Sequence, residues 1–180
     1  MPNIIDIANV AIDAVRSLND GEKRSIHVGE AMAIWTYGSY LDGVIEQYQI
    51  ALHTTHDNEL KKLFEDAHAV TVSHKKQIDK FMKDEDIPPT DGYSLKPESS
   101  TLIPNSVKQS DKELINVLQI NLVAAIGQCA LAASQSIRED VAIMFFKFQT
   151  DKMVIGMKAK KLALKKGWLR FPPSYNVTSV

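Results

Sequence analysis

Apolar and aromatic residues recur along this chain at the spacing of an α-helix. From Ile34 they run Ile34, Tyr37, Leu41, Val44, Ile45, Tyr48 and Leu52, the i, i+3, i+4, i+7 series of one helical face. From Leu60 a second series runs Leu60, Phe64, Ala67, Val70, Ile78 and Phe81. Between them lies Thr54-Thr55-His56-Asp57-Asn58-Glu59, in which Asp57 can cap a new helix, so the pattern predicts an antiparallel pair. In the second half, Ser110 or Asp111 can cap a helix reaching about Ser134. Ser136-Ile137-Arg138-Glu139 then has the S-x-x-E form of a capping box and predicts a fresh helix start. The last helix carries Val141, Met144, Phe145, Phe148, Ile155, Ala159 and Leu162 on one face. It ends at Lys165-Lys166-Gly167, where basic residues meet the negative helix end and a glycine stops it.

The prolines agree. They fall at 2, 88, 89, 97, 104, 172 and 173, leaving residues 3–87 and 105–171 free of the residue that breaks helix interiors. Residues 85–110 hold four of them, with Gly92 and several serines and no periodicity. Two helical hairpins joined by one long crossover is the ferritin-like arrangement of four helices. The fold class predicted is all-α: a ferritin-like four-helix bundle with a long crossover between helices 2 and 3. An extra amphipathic N-terminal helix, roughly Asn3 to Leu18, precedes it. The domain division predicted is an extension at 1–25, the bundle at 26–173 and a tail at 174–180. No strand signal is present.

Composition narrows the role more than it defines it. Twenty-one basic residues against twenty-two acidic give a net charge of -1, which excludes a protein built to hold nucleic acid non-specifically. A single cysteine, Cys129, excludes a disulfide scaffold and a cysteine-based zinc site, and among Ala, Gln and Leu it reads as an inert core thiol. The first apolar stretch is interrupted by Asp6 and Asp13 and has no basic start, so no export signal is read and a cytoplasmic protein is expected. Leu114 to Ile137 carries no charge, yet Asn116, Gln119, Asn121, Gln128 and Gln135 are spread through it. It reads as a helix buried in a bundle, and no membrane span is predicted. Because that helix is apolar on more than one face, a homodimer through helix 3 or the first helix is expected.

The bundle topology sets heights. Glu46, Glu65, His68, Asn121 and Asp151 should share one level, with Tyr37, His74 and Gln128 just below. A carboxylate-bridged di-metal site needs a Glu from each of two helices and a Glu-x-x-His from each of the others. Helix 2 offers Glu65 and His68; helix 4 has no histidine, and helix 3 offers no carboxylate between Leu114 and Ile137. Half the ligand set is missing, so Glu65 and His68 read as solvated helix-surface residues before they read as ligands. His74 reads as a core histidine bonded to an amide such as Gln128, and Trp35, Tyr37, Tyr40 and Tyr48 as packing. No cofactor is predicted. His27, Glu30, Arg138, Glu139 and Asp140 should meet at the bottom of the bundle. There Glu30 is expected to pair with Arg138 or share its polar network, and His27 to reach Glu139 or Asp140. The sharper alternative is a small polar or metal-binding pocket formed by His27, Glu30 and Asp140, with a single transition metal as the ion it would take.

These motifs also carry a resemblance. His27-Val28-Gly29-Glu30 with Trp35, Ile87-Pro88-Pro89, Ser136 to Asp140, and Lys166-Gly167-Trp168-Leu169 before Pro172-Pro173 resemble a domain-of-unknown-function family. It comprises ferritin-like proteins from spore-forming bacteria, distantly similar to spore coat protein F. The resemblance spans about 26–173 and implies a fold without an assigned activity. The expected function is a non-enzymatic structural or stress- and sporulation-associated bundle. The alternative is a metal-binding ferritin-like protein or oxidoreductase with an atypical ligand set.

Overall fold

Each helix start is fixed by a local hydrogen bond pattern. The computed structural model describes residues 24–92 and 108–172. Helix α1 spans Val28–Thr54, α2 Asn58–Asp84, α3 Asp111–Gln135 and α4 Glu139–Lys165. At α1, His27 Nδ1 accepts the N–H groups of Gly29 and Glu30, while Glu30 Oε2 accepts the His27 N–H, closing a capping box. At α2, Asp57 Oδ1 accepts from Glu59 and Leu60. Ser110 and Glu113 form a second capping box at α3. The box expected from Ser136 to Glu139 does not form. The Ser136 hydroxyl donates back to Ala132 O, and Arg138, the residue before α4, contributes no side-chain cap. The free N–H groups there are met from another helix, by Glu30.

The stops are equally local. Gly167 takes φ +68°, its N–H bonds Leu164 O and that of Trp168 bonds Ala163 O, the two bonds of a Schellman motif. Helix α2 ends the same way with a less suited residue. Asp86 takes φ +55°, and the Ile87 N–H reaches Met82 O at 2.8 Å.

Helix α1 packs on α2, α2 on α4, α4 on α3 and α3 on α1. Every neighbouring pair is antiparallel, which requires the chain to cross the length of the bundle between α2 and α3. The structure is an all-α four-helix bundle, and among the described residues there is no strand. The expected N-terminal helix at 3–18, the middle of the crossover and the 174–180 tail lie outside the described residues. One apolar cluster fills the end near the α1–α2 turn, around Tyr48, Leu60, Phe64, Ile115, Leu118 and Leu162. A second fills the other end, around Ile34, Leu41, Ile78, Val141, Phe145 and Phe148. Thr71, His74 and Lys152, all buried polar residues, lie between them.

The helices differ in how they meet solvent. The described residues of α2 include no exposed large apolar side chain, whereas α3 exposes Ile120 (66%), Val123 (72%) and Leu131 (58%). Helix α3 is the one described helix long and apolar enough to cross a membrane, although its inward face is bundle core.

Candidate functional site

Two polar constellations are built inside the bundle. The first joins the start of α1 to the turn between α3 and α4. Glu30, 2% exposed, turns Oε1 to the N–H groups of Ile137 (2.8 Å) and Arg138 (2.7 Å), while Oε2 serves the α1 capping box. A buried carboxylate is thus satisfied wholly by peptide N–H donors, at the positive ends of two helices. The fork-to-carboxylate pair expected between Arg138 and Glu30 does not form, because those peptide donors already occupy the carboxylate. The Arg138 guanidinium reaches Glu85 instead, through Nη1 (2.7 Å) and Nη2 (2.9 Å), and Asp140 through Nε (3.0 Å) and Nη2 (2.6 Å). It also stacks on the Phe81 ring at 5.4 Å. The two carboxylates hold the guanidinium's proton more tightly than usual. His27 does not reach Glu139 or Asp140 either: its ring is engaged as the α1 cap, with Nε2 3.6 Å from Glu30 Oε2. The structure therefore brings His27, Glu30, Arg138 and Asp140 together and leaves Glu139 outside.

Glu85 escaped the sequence reading because it falls where periodicity stops. Its position one residue past the end of α2, level with the α3–α4 turn, is the signal that could have found it.

The second constellation lies mid-bundle. His74 is hydrogen-bonded through Nε2 to Asp151 Oδ2 at 3.1 Å and through Nδ1 to the Tyr37 hydroxyl, 3.3 Å away. Its ring stacks on Phe148 with centroids 4.1 Å apart. Burial drives the His74 pKa down, and the hydrogen bond to Asp151 only partly offsets this. The amide partner expected for His74 is not used; Gln128 Oε1 has no hydrogen-bond partner. Burial raises the Tyr37 hydroxyl far above its usual range, and pushes the neighbouring Cys129 thiol up to about 11. Neither can ionise near neutrality.

Lys152 completes this layer. It is 2% exposed, and Nζ donates to Thr71 Oγ1 at 2.6 Å. Burial lowers its pKa to about 8. Sequence reasoning passed over it because a lysine is ordinarily a surface residue. The signal was there: in the series Val141, Phe145, Phe148, Ile155, Ala159, the inward position between Phe148 and Ile155 is 152.

The remaining candidates stand apart from both layers. Glu65 is exposed on α2, and His68 is half-buried, its Nε2 without a partner and its pKa lowered by burial. Among the described residues, no three His, Cys, Asp or Glu side chains are grouped to hold a metal ion.

A family model described as "Protein of unknown function (DUF3231)" matches residues 17–179. The chain belongs to this family. A Bacillus subtilis (strain 168) relative, the uncharacterised protein YvdQ, is 30% identical over 152 residues, covering 82% of this chain and 88% of that one. A crystal structure from Bacillus halodurans C-125, provisionally described as a spore coat protein, superposes with a TM-score of 0.80 at 30% identity. It covers 85% of this chain and 97% of its own. The DUF3231 chain described here shares its all-α bundle, and neither relative carries an assigned catalytic activity in its description.

Proposed function

We propose that this protein is a non-enzymatic, homodimeric building block of a spore coat or a related stress-protective assembly. The spore-coat description of the Bacillus halodurans relative supports the setting. The observation that carries the non-enzymatic part is Lys152. In bundles of this topology, facing side chains in the mid-bundle interior assemble metal and cofactor sites. Here that layer carries an ammonium, hydrogen-bonded to a threonine and flanked by an un-ionised thiol and phenol. At neutral pH that positive charge repels a metal cation, and groups sealed in the core do not meet a substrate. The arrangement of four antiparallel neighbours around one long connection supports reading the bundle as ferritin-like with its interior given over to packing.

Fractionation of sporulating cells tests the setting. The protein is expected in the detergent- and reductant-extracted coat fraction of purified spores and depleted from vegetative cells. Equal abundance in growing cells, with none in the coat extract, would overturn it. Elemental analysis of untagged protein purified without chelators tests the interior; a stoichiometric transition metal lost in Lys152→Met would refute the argument from Lys152.

A further inference from the structure

Helix α3 is uncharged from Leu114 to its end at Gln135 on every side, but among the described residues only one side of it is covered. Asn121, whose side chain donates to Gln47 of α1, marks its α1 flank, and Ile120 and Val123 lie away from it, outward and toward α4. On α4, Asp151 and Lys158 bond to His74 and Asp66 of α2 and mark the α2 flank. Met153, Met157 and Leu164 lie on the other flank, toward α3, and are all exposed (43%, 46% and 47%). The two helices together present one mainly apolar wall, in which Asn116 and Gln119 lie beside Ile120 and Val123. Gly127 sits in it, and a Cβ added there would meet nothing within 4 Å. A helix-interior glycine weakens the helix, and among the described residues nothing requires one. Close approach of an outside helix would.

We infer that this wall docks the same wall of a second copy about a two-fold axis perpendicular to α3 and α4, which deepens the homodimer reading on which it rests. Size favours this occupant. Helix α3 is about 37 Å long and the pair about 20 Å wide, giving ~700 Å², close to the ~800 Å² per partner of a standard interface. Residues 3–18 as a helix would cover only about a third of that. Charge gives the register. Glu139 lies 18 residues, five full turns, before Met157 and so on the same flank, at the bottom of the wall. Lys160 and Lys161 flank it at the top, and among the described residues none of the three has an ion-pair partner. A two-fold axis passing near Val123 and Thr150 sets the lysines of each copy against Glu139 of the other, as an isologous interface requires.

Sedimentation of the full-length chain at micromolar concentration tests this. The wild type is expected as a particle of two 20.1 kDa chains. Val123→Asp should weaken association at least a hundredfold with an unchanged helical circular dichroism spectrum. Lys160→Glu with Lys161→Glu should weaken it about tenfold, and adding Glu139→Lys should restore it. A monomeric wild type would overturn both this inference and the homodimer. A dimer indifferent to Val123→Asp would overturn only the wall. A charge reversal without rescue would overturn the two-fold register. A monomer in which Val123→Asp exposes residues 3–18 to protease, or abolishes binding to phosphatidylglycerol vesicles, would give the wall to that segment or to a membrane, and either would refute the inference.

Discussion

Replacing Lys152 by methionine removes a charge that the fold holds at a loss. The ammonium keeps one acceptor, the Thr71 hydroxyl, which itself donates to Ala67 O and stays satisfied after the substitution. Burial lowers the pKa of Lys152 from 10.5 to about 8, which corresponds to roughly 3 kcal/mol. Below pH 8 both folded and unfolded chains carry the proton, so the cost of burying the charge is borne in full. Between pH 8 and 10.5 the unfolded chain binds the proton and the folded chain does not, so the stability contributed by this group rises with pH. Cys129 and Tyr37, whose folded pKa values are raised, act in the opposite sense from about pH 9 upward; wild type and Lys152→Met share the Tyr37 effect, while loss of the ammonium lets the Cys129 pKa rise further and so adds to the narrowing of the difference above pH 9. Urea denaturation followed by circular dichroism should show Lys152→Met more stable than wild type by about 1–3 kcal/mol at pH 7. That advantage should shrink by about 2 kcal/mol by pH 9.5. A difference that stays flat across this range, or a methionine variant less stable at pH 7, would refute the assignment of Lys152 as an uncompensated buried charge.

Glu30→Ala leaves the N–H groups of His27, Ile137 and Arg138 without their acceptor, and should cost about 3 kcal/mol in the same urea assay. Metal content measured alongside should not change, since the carboxylate is occupied by peptide donors; loss of a bound ion would restore the pocket of His27, Glu30 and Asp140. Asp86→Gly relieves the left-handed backbone at the end of α2 and should raise stability by about 0.5–1 kcal/mol, detectable as a higher melting temperature.

The helices were legible because their signals are local. Asp57 and Ser110 cap where the pattern places them, and Gly167 stops α4 where its spacing predicts. The inward aim of Glu30 was legible too, because it leads directly into Ile34, Tyr37 and Leu41. Its partners were not. A sequence pairs a buried carboxylate most naturally with an arginine, whereas here peptide N–H groups reach it first and the arginine turns to Glu85 and Asp140. The S-x-x-E pattern at Ser136 misled for the same reason, since a capping box is unnecessary where another helix supplies the acceptor. His74 shows the limit of reasoning by height: shared level does not say which side chain faces the ring, and Asp151, expected one level up, takes the imidazole while Gln128 Oε1 has no partner.

One carboxylate closing two helix starts, 108 residues apart in sequence, has a consequence for how the molecule comes apart. Fraying of α1 strips the acceptor from the α3–α4 turn, and fraying of that turn strips a load from the α1 cap, so the two ends open as a single cooperative unit. Amide hydrogens at Gly29, Glu30, Ile137 and Arg138 should therefore exchange with one common opening free energy. The two hairpins are also tied by something other than the peptide that joins them. A chain cut within the crossover would persist as two complementary fragments, the Glu30 carboxylate on one and the Ile137 and Arg138 N–H groups it satisfies on the other.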